Sequence, residues 1–569
     1  MNNTLEIILD KLSLVISSNS NLSDIFGFGE FVSALALLII VYTTTNNRYK
    51  FRLSIVPFPI QKISFIILLF IGIGTLLIEV WFSKKWLIPQ YISDYIYLQS
   101  FFASLFLLII SLWLYYAFIN PPIFSKYNYK KFIHEVYRLI INGEYNDLIM
   151  ISNEIGRSSD NIIKYSSEVK TEYLKVKKGK VIVKPRKYLI PNDEISKTAY
   201  HLLLLFANKK FCKEIINTSP ITVIRFINSI EKTQRYDVPI GQFLANISEE
   251  LILNKNSILY SESEKYSYDL IGNEKYFTKT LYGNFRLLKS VDNLTPYHFD
   301  YQLSSSFNSE EYKAFTNTVL ITIESYLKNN GVYWNHFIPL NQAFDIIKNS
   351  VDEIYKINKL KKFDEITSNI SFKKLEINIS FIIDFIKLLE KYPSKRYKCA
   401  KYGIKEGIST DIYDELVDII FEMIFKVSQL KLSKKNIWWI HHNIVWSSIY
   451  VFHIENTEVV KLIKQKLRRC LYNKIMNFNK YSNFESALIL GFMLNILGLK
   501  ADKNGLYKSW YGFHKLILKW TKYNYFSLLL KREDIAKKCL LGYVKLNRKK
   551  TKLIYLRNKE YLKIKKIVC

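Results

Sequence analysis

Cysteine is scarce in this sequence, and its spacing excludes the usual paired-cysteine sites. The five cysteines are widely separated, with no Cys-x-x-Cys pair and no histidine at the spacing of a zinc ligand. Unpaired cysteines of this kind are typical of a reduced compartment. The sequence therefore predicts no metal site.

The sequence also lacks the short motifs of the common enzyme classes. It contains no Gly-x-x-x-x-Gly-Lys-Ser/Thr loop, no Gly-x-Gly-x-x-Gly turn, no Gly-x-Ser-x-Gly elbow and no His-Glu-x-x-His pair. No arginine is followed five residues later by histidine, as an Arg-x-x-x-x-His ribonuclease pair requires. Nucleotide-hydrolase and dinucleotide-binding functions lose their main support, and no cofactor is predicted.

Acidic residues are few: 50 Asp and Glu stand against 81 Lys and Arg, for a net charge of +31. Residues 1–125 are nearly neutral, so residues 126–569 carry almost all of the excess. Such a charge favours phosphate-rich partners, because it concentrates polyanions near the surface. An AT-rich genome is an equally good explanation, since only 14 of these residues are arginine while Lys, Asn, Ile and Tyr are plentiful.

Three long apolar runs stand out against this basic background, at about residues 25–45, 63–83 and 97–119. About 20 mostly apolar residues are needed to cross a hydrocarbon core about 30 Å thick. Two prolines, Pro121 and Pro122, end the third run, because proline cannot continue a helix. Residues 1–125 are therefore predicted to form a membrane domain of three transmembrane helices.

Basic residues in the short loops predict the orientation of these helices. Lys and Arg resist translocation, so loops that carry them stay in the cytoplasm. The predicted topology is multi-pass in a bacterial inner membrane, with the N-terminus outside and residues 126–569 in the cytoplasm. Lys84 and Lys85 in the second loop oppose it weakly. The supporting residues follow the first and third runs: Arg48, Lys50, Arg52 and Lys62, then Lys126, Lys130, Lys131 and Arg138.

Three further features of the membrane domain carry predictions. Residues 4–18 have one apolar helical face, which predicts an amphipathic helix at the membrane interface. Glu30 and Glu79 are candidates for an ion path, but their place near segment ends favours simple interfacial solvation. The small residues Gly72, Gly74 and Thr75 would permit close helix contact in a homo-oligomer.

Residues 126–295 are predicted to form a juxtamembrane α domain that contains one β-hairpin, residues 173–184. Short helices are expected at Lys130–Ile141, Asp147–Ile155 and Asn161–Glu168. The hairpin and its exit could contact anionic lipid or nucleic acid, or could be an ordinary solvated face. Its basic residues are Lys175, Lys177, Lys178, Lys180, Lys184, Arg186 and Lys187.

Residues 296–569 are predicted to form an irregular array of α-helices, because helical periodicity recurs without a named repeat and no proline follows Pro393. The basic tail, residues 545–569, is expected to form a terminal amphipathic helix that binds a polyanion or docks on its own domain. Helices are expected at Glu310–Lys328, Leu340–Asn358, Ile377–Lys391, Asp411–Leu430, Asn436–Phe452, Val459–Asn477, Phe484–Leu497, Trp510–Lys531 and Glu533–Leu541.

Catalytic candidates are few. His441 and His442 lie among tryptophans on one helix, where hydrogen-bonded core residues are more common than an acid–base site. His298 and Asp300 share one side of an extended segment, as a general base and its orienting acid would. A Glu168-x-Lys170 pair with Asp160 upstream contains half of a metal-dependent nuclease core. All of these are weak candidates.

The predicted fold class is therefore mainly α: a three-helix membrane domain, then a large, mostly helical cytoplasmic region with a small hairpin. This layout is typical of a membrane-anchored sensor or interaction protein, and one version is a bacterial stress or antiviral-defence effector that binds a partner or forms a pore. The alternative is a membrane-tethered nucleic-acid-binding protein or nuclease that uses the hairpin and the tail. The expected partners are membrane lipid and an unidentified protein, with nucleic acid and a second copy as further candidates.

Overall fold

Helices dominate the fold of the protein, whose structure is a computed structural model. The described residues form two compact units, 1–239 and 240–569. The mainly α fold class is confirmed, with small antiparallel sheets near both ends of the chain. The structure describes residues 14–16, 26–44, 46–89, 95–166, 193–263, 274–291, 294–330, 337–392, 411–451, 457–479, 483–504, 507–549 and 551–565.

The first unit combines apolar helices with a bundle of shorter amphipathic ones. The helix Tyr95–Leu114 continues as a π-helical turn, Tyr115–Ile119. The elements are β1 (Leu14–Ile16), α1 (Phe28–Thr44), α2 (Asn47–Ser54), α3 (Ile60–Ser83), β2 (Leu87–Pro89), α4 (Tyr95–Leu114), α5 (Tyr129–Asn142), α6 (Tyr145–Ser166), α7 (Glu194–Phe206), α8 (Lys209–Thr218) and α9 (Ile221–Thr233).

Two helices are long and apolar enough to cross a membrane, α3 and the continuous helix Tyr95–Ile119. Helix α1 has 17 residues. At 1.5 Å per residue it spans about 25 Å, less than a typical hydrocarbon core. It passes the same test only together with α2, from which it is bent by 105°. Two of the three predicted spans are thus supported by length and composition.

Glycines in α3 allow the apolar helices to pack closely within one chain. A Cβ added to Gly72 would lie 2.7 Å from Cε1 of Phe31 in α1, and Gly74 lies against the Phe102 ring of α4 in the same way. Large apolar side chains on the outer faces, such as Phe65, remain exposed, as a lipid-facing surface requires. The glycines predicted for an oligomer contact therefore serve contacts inside the chain.

Strand β1 pairs antiparallel with β2, with Leu14 opposite Pro89 and Ile16 opposite Leu87. The amphipathic helix predicted for residues 4–18 is therefore wrong for Leu14–Ile16, and its other residues lie outside the described part of the chain. The physical reason is backbone pairing with β2, which the β-branched pair Val15-Ile16 tolerates well.

Two acids of the apolar helices cap the start of α1. The Phe28 N–H donates to the Glu79 carboxylate, and the Gly27 N–H donates to Glu30 Oε2 over 2.9 Å. The first N–H groups of a helix have no partner inside the helix, so both acids satisfy N–H groups that the helix itself leaves unbonded.

The segment between α1 and α3 packs on α5 and α6. The Asn128 side-chain amide donates to the Ile55 carbonyl, and Lys131 Nζ donates to the Val56 carbonyl, each over 2.9 Å. Helix α6 is one continuous helix where two shorter ones were predicted. The small residues between the two predicted helices remain helical because they are buried against α7 and α9. Ser159, for example, makes a hydrogen bond with Ser229 of α9.

The second unit is an array of helices closed by a three-stranded sheet. Its elements are α10 (Gly241–Leu253), α11 (Ile258–Ser263), α12 (Tyr276–Tyr282), α13 (Phe285–Ser290), α14 (Tyr301–Ser306), α15 (Ser309–Asn330), α16 (Ile338–Asn349), α17 (Phe363–Ser368), α18 (Ile370–Lys391), α19 (Ile412–Ser428), α20 (Lys434–Trp439), α21 (Ser447–Val451), α22 (Glu458–Met476), α23 (Phe484–Leu497), α24 (Tyr511–Lys531), α25 (Glu533–Lys538), β3 (Val544–Asn547), β4 (Lys552–Tyr555) and β5 (Glu560–Lys563).

Several connections in this unit are themselves helical. A π-helical stretch, Ile440–Trp446, joins α20 to α21 into one longer helix. Short 3-10 segments cover Asp352–Lys359, Asn477–Asn479 and Lys508–Trp510. The helix predicted at Leu340–Asn358 is therefore two elements, α16 and a 3-10 turn.

The terminal helix predicted within residues 545–569 is wrong. Strands β3, β4 and β5 form an antiparallel sheet in that order, with Val544 opposite Tyr555 and Lys552 opposite Lys563. The side chains of Val544, Leu553 and Tyr555 are buried. The tail folds as a sheet because this alternation gives it one apolar face to pack on the helices.

Candidate functional site

The two pairs of histidine-containing candidates do not form a common cleft. His298 and Asp300 are exposed, and neither side chain makes a hydrogen bond or an ion pair with another described residue. His441 is fully buried, at 0% exposure. The general base and orienting acid proposed for the first pair therefore gain no supporting contact.

His441 lies in the core of the second unit. Its Nε2 is 3.2 Å from the Val427 carbonyl and its Nδ1 is 3.3 Å from the Asn495 amide nitrogen. Both ring nitrogens have partners that suit a neutral imidazole. Burial lowers the pKa of His441 to about 4. His441 thus occupies the core position that the sequence analysis preferred.

His442 lies beside its neighbour but in a half-buried aromatic stack. Its ring packs on Trp438, with centroids 4.3 Å apart, and its Nε2 shares a hydrogen bond with the Tyr507 hydroxyl. The Arg557 guanidinium lies over the Trp438 ring, with its central carbon 3.5 Å from the ring centroid. Burial lowers the pKa of His442, so the stack holds a neutral ring.

Of the site residues predicted for the basic hairpin and the nuclease core, only Asp160 lies among the residues that the structure describes. The basic hairpin residues, from Lys175 to Lys187, and the Glu168-x-Lys170 pair lie outside the described residues. Asp160 is described and pairs with Lys232 over 2.6 Å and with the Ser229 hydroxyl over 2.5 Å. These two contacts lower the pKa of Asp160 and give it a structural partner.

The second unit contains a polar groove of about 740 Å³ that the sequence candidates did not include. Helices α16, α19 and α22 form its walls, and the start of α23 closes one end. Its charged residues are Asp345, Lys348, Asp418, Glu422, Lys426, Lys474 and Glu485, and its other polar residues are Asn349, Cys470, Asn473, Asn477, Asn483 and Ser486.

Helical spacing places these side chains on three facing stripes. Asp345 and Lys348 are three residues apart on α16, Asp418 and Glu422 are four apart on α19, and the α22 residues follow the same rule. The helix ends are fixed locally. Asp411 and Asp414 form a reciprocal capping box at the start of α19, and Asn483 caps α23 through the Ser486 N–H.

A buried charge cluster behind the groove holds α19 against α22. Lys466 Nζ lies 2.6 Å from Asp414 Oδ1 and 3.0 Å from Asp411 Oδ2. Burial disfavours the lysine charge, but the two carboxylates outweigh it and the pKa of Lys466 is raised. Because a buried pair persists only with good geometry, this cluster fixes the relative position of the two walls.

The lysines of the groove already have acidic partners. Lys474 lies 2.8 Å from Glu485, and Lys426 lies 2.7 Å from Asp352. Lys348 contacts Glu415 at 3.4 Å and Asp418 at 3.7 Å. These contacts leave little free positive charge in the groove.

Two carboxylates of the groove, Asp345 and Glu422, are without close partners. Neither makes a hydrogen bond or an ion pair within 4 Å of another described residue. Partial burial raises the pKa of both carboxyl groups, and for Glu422 the nearby acids Glu485 and Asp418 add to this. A cationic group placed between them would restore the interactions that partial burial has removed.

The other groups in the groove suit binding better than catalysis. Burial and nearby acids raise the pKa of the Cys470 thiol to about 12, so it remains protonated and is a poor nucleophile. The four asparagines offer both hydrogen-bond donors and acceptors. Across the described ranges, no three His, Cys, Asp or Glu side chains are placed to hold a metal ion.

Sequence reasoning missed this groove because its residues resemble solvated helix faces. Asp345, Glu422 and Glu485 come from separate helices and form no motif. A charged stripe opposite an apolar one is the ordinary pattern of a surface helix. Only the packing of α16, α19 and α22 shows that their polar stripes face one another.

Comparisons with known proteins identify no relative, since no family model, curated protein or solved structure matches this chain.

Proposed function

We propose that this protein is a membrane-anchored sensor whose second unit binds a small, polar, amine-bearing molecule. The observation that carries the proposal is the groove of about 740 Å³ with two unpartnered carboxylates, Asp345 and Glu422. Its volume lies within the range of about 300–1,000 Å³ typical of small-molecule sites. The apolar helices α3 and α4 supply the membrane anchor.

The position of α1 supports three membrane crossings. At one end of the α3–α4 pair, the Phe28 N–H bonds to Glu79 near the end of α3, and the Phe26 N–H bonds to Gln99 near the start of α4. Tyr42, near the other end of α1, packs on Trp113 near the end of α4, with ring centroids 5.7 Å apart. We infer that α1 runs the length of the pair and crosses the same layer.

A contact within the first unit supports a cytoplasmic position for the chain that follows α4. Arg52 of α2 and Glu154 of α6 form an ion pair. This contact supports a topology in which the loop after α1 and the chain that follows α4 are on the same side of the membrane. That side carries the basic residues that resist translocation, so it is assigned to the cytoplasm. The N-terminus and the loop at Lys84 would then face outward.

Labelling with a membrane-impermeant maleimide tests this topology. All five native cysteines follow residue 125, so the wild type should stay unlabelled on intact cells. Lys84→Cys should be labelled, and Lys126→Cys should be labelled only after the membrane is opened. Labelling of Lys126→Cys on intact cells would contradict the orientation.

Thermal unfolding of the detergent-purified full chain tests the ligand class. Putrescine and spermidine should raise the melting temperature of the wild type, and the neutral 1,4-butanediol should not. The variant Asp345→Asn with Glu422→Gln should lose this shift, because it removes both unpartnered carboxylates.

Asp364→Asn with Glu365→Gln is the matched control, since it removes two exposed acids of α17 outside the groove. It should keep the full shift. A wild type that does not respond to either amine, or an equal loss in both double variants, would overturn the ligand class while leaving the membrane topology untouched.

A finer version of the proposal makes the protein an effector of a bacterial stress or antiviral response that acts by partner binding or by opening a pore. It is supported only by the layout of membrane helices followed by a helical region. Induced expression with a potential-sensitive dye tests the pore: depolarisation supports it, and an unchanged membrane potential overturns it.

A further inference from the structure

A second cavity in the second unit is lined by basic residues. It measures about 370 Å³ and lies where the first strand of the terminal sheet meets α20, α24 and α25. No acidic side chain of the described residues lines it. Its charged residues are Lys434, Lys537, Lys545 and Arg548.

The local fold explains why these charges converge. Gly542, at a φ of +57°, turns the chain into β3, and the Tyr543 N–H bonds to Asn495 Oδ1 over 3.0 Å. Val544 is buried, and strand alternation directs Lys545 to the opposite side. Lys434 is the first residue of α20, after the capping residue Ser433.

The four cations have too few acidic partners. Glu533 pairs with both Lys537, at 3.1 Å, and Arg548. Lys434 and Lys545 make no ion pair with any acid in the described ranges. The neighbouring Lys545 side chain lowers the pKa of Lys434, so the two ammonium groups are close enough to repel each other.

We propose that this cavity binds the phosphate group of a small phosphorylated molecule. A phosphate dianion offers several acceptor oxygens and enough charge to neutralise Lys434 and Lys545 together. Arg548 adds a planar donor, and lysine binds phosphate as a point charge. A volume of about 370 Å³ admits a small molecule rather than a folded segment.

Calorimetry on the detergent-purified full chain tests the site, with inorganic pyrophosphate and ATP as probes at constant ionic strength. The wild type should bind at least one of them. Lys434→Gln with Lys545→Gln should weaken that binding by about tenfold or more, because both unpaired cations are lost.

The matched control is Lys549→Gln with Lys563→Gln, which removes the same charge from exposed positions near or on the terminal sheet that do not line the cavity. It should change affinity less than about twofold, because neither residue lines the cavity. Without ligand, the Lys434/Lys545 variant should be at least as stable as the wild type, because it removes a like-charge contact.

An oligonucleotide of random sequence separates a free phosphorylated molecule from a nucleic-acid backbone. Binding of ATP, pyrophosphate or both, with no binding of the oligonucleotide, supports the proposal. Three results would overturn it. These are a wild type that binds neither probe, an equal loss of affinity in the two double variants, and an oligonucleotide that is the one probe that binds.

Discussion

Arg52 and Glu154 form a buried ion pair that joins three parts of the first unit. Arg52 Nη2 lies 2.8 Å from Glu154 Oε1, and Nη1 donates to the Ala117 carbonyl over 2.6 Å. The two side chains are 7% and 3% exposed. Helix α2, the π-helical end of the third apolar helix and helix α6 therefore meet at one guanidinium group.

Replacing Glu154 by Gln should strongly destabilise this unit. Burial alone raises the pKa of Glu154, but hydrogen bonds from Arg52 and Arg48 outweigh it and lower the pKa, so the carboxylate is ionised. Removing it leaves a buried guanidinium without its counter-charge, which costs about 3–5 kcal/mol. Thermal unfolding in detergent measures the loss.

Asp147→Asn is the control for that measurement. Asp147 accepts an exposed hydrogen bond from Asn47 over 2.8 Å, so its replacement should change the free energy of unfolding by less than about 0.5 kcal/mol. Equal melting temperatures for the two variants would contradict the role assigned to the ion pair.

Gly542→Ala should destabilise the second unit. Gly542 has a φ of +57°, where side chains are strained, and an added Cβ would collide with the Asn495 side chain. We expect a loss of about 1–3 kcal/mol. Gly512→Ala in α24 is the control, because nothing lies within 4 Å of the added Cβ. It should be neutral or stabilising, and an equal loss at both glycines would refute the argument.

A similar pair of variants tests the packing of α1 against α3. Gly72→Ala must displace Phe31, whereas a Cβ at Gly29 meets no atom within 4 Å. Gly72→Ala should therefore lower the melting temperature, by a free energy of about 1–3 kcal/mol for overpacking. Gly29→Ala should not. If both variants melted like the wild type, α1 and α3 would not pack as described.

The stability of the second unit should depend on pH through His441. Its pKa is about 4 in the folded chain and about 6.5 in the unfolded chain. Between these values the unfolded chain binds a proton that the folded chain does not, so stability rises with pH and is complete above about 6.5. The contribution to the slope is at most about 1.4 kcal/mol per pH unit.

Urea unfolding at several pH values checks this dependence. His441→Leu should lower the slope of the free energy of unfolding against pH by the contribution of about one titrating proton, whatever its effect on stability at neutral pH. Ile440→Val removes packing from the adjacent buried residue without removing a titrating group, so its slope should match the wild type. An unchanged slope in His441→Leu would show that His441 is not kept neutral by folding.

The sequence predicted a helix well where its length, composition and capping residue could all be identified within one segment. The prediction for Phe484–Leu497 matches α23 at both ends, and Val459–Asn477 matches α22 within one residue. Helix α23 is apolar on every side and is capped by Asn483, so length, composition and capping all indicate the same element.

The terminal sheet and the groove were not predictable in the same way. Thr551 and Lys559 turn the chain at positive φ without glycine, so no turn signal separated the four-residue strands. The groove depends on the packing of helices distant in sequence, and a carboxylate such as Glu422 has the same local pattern whether it faces water or another helix.

The π-helical stretch Ile440–Trp446 holds about one residue more than an α-helix needs for the same rotation. Deleting one residue there should therefore restore α geometry and leave the following side chains facing as they do now. The same deletion within α20 would instead rotate them by about 100°, and Trp446, now 4.8 Å from the Trp510 ring, would lose that contact. The π-helical stretch is thus the part of this helix that can lose a residue and keep its packing.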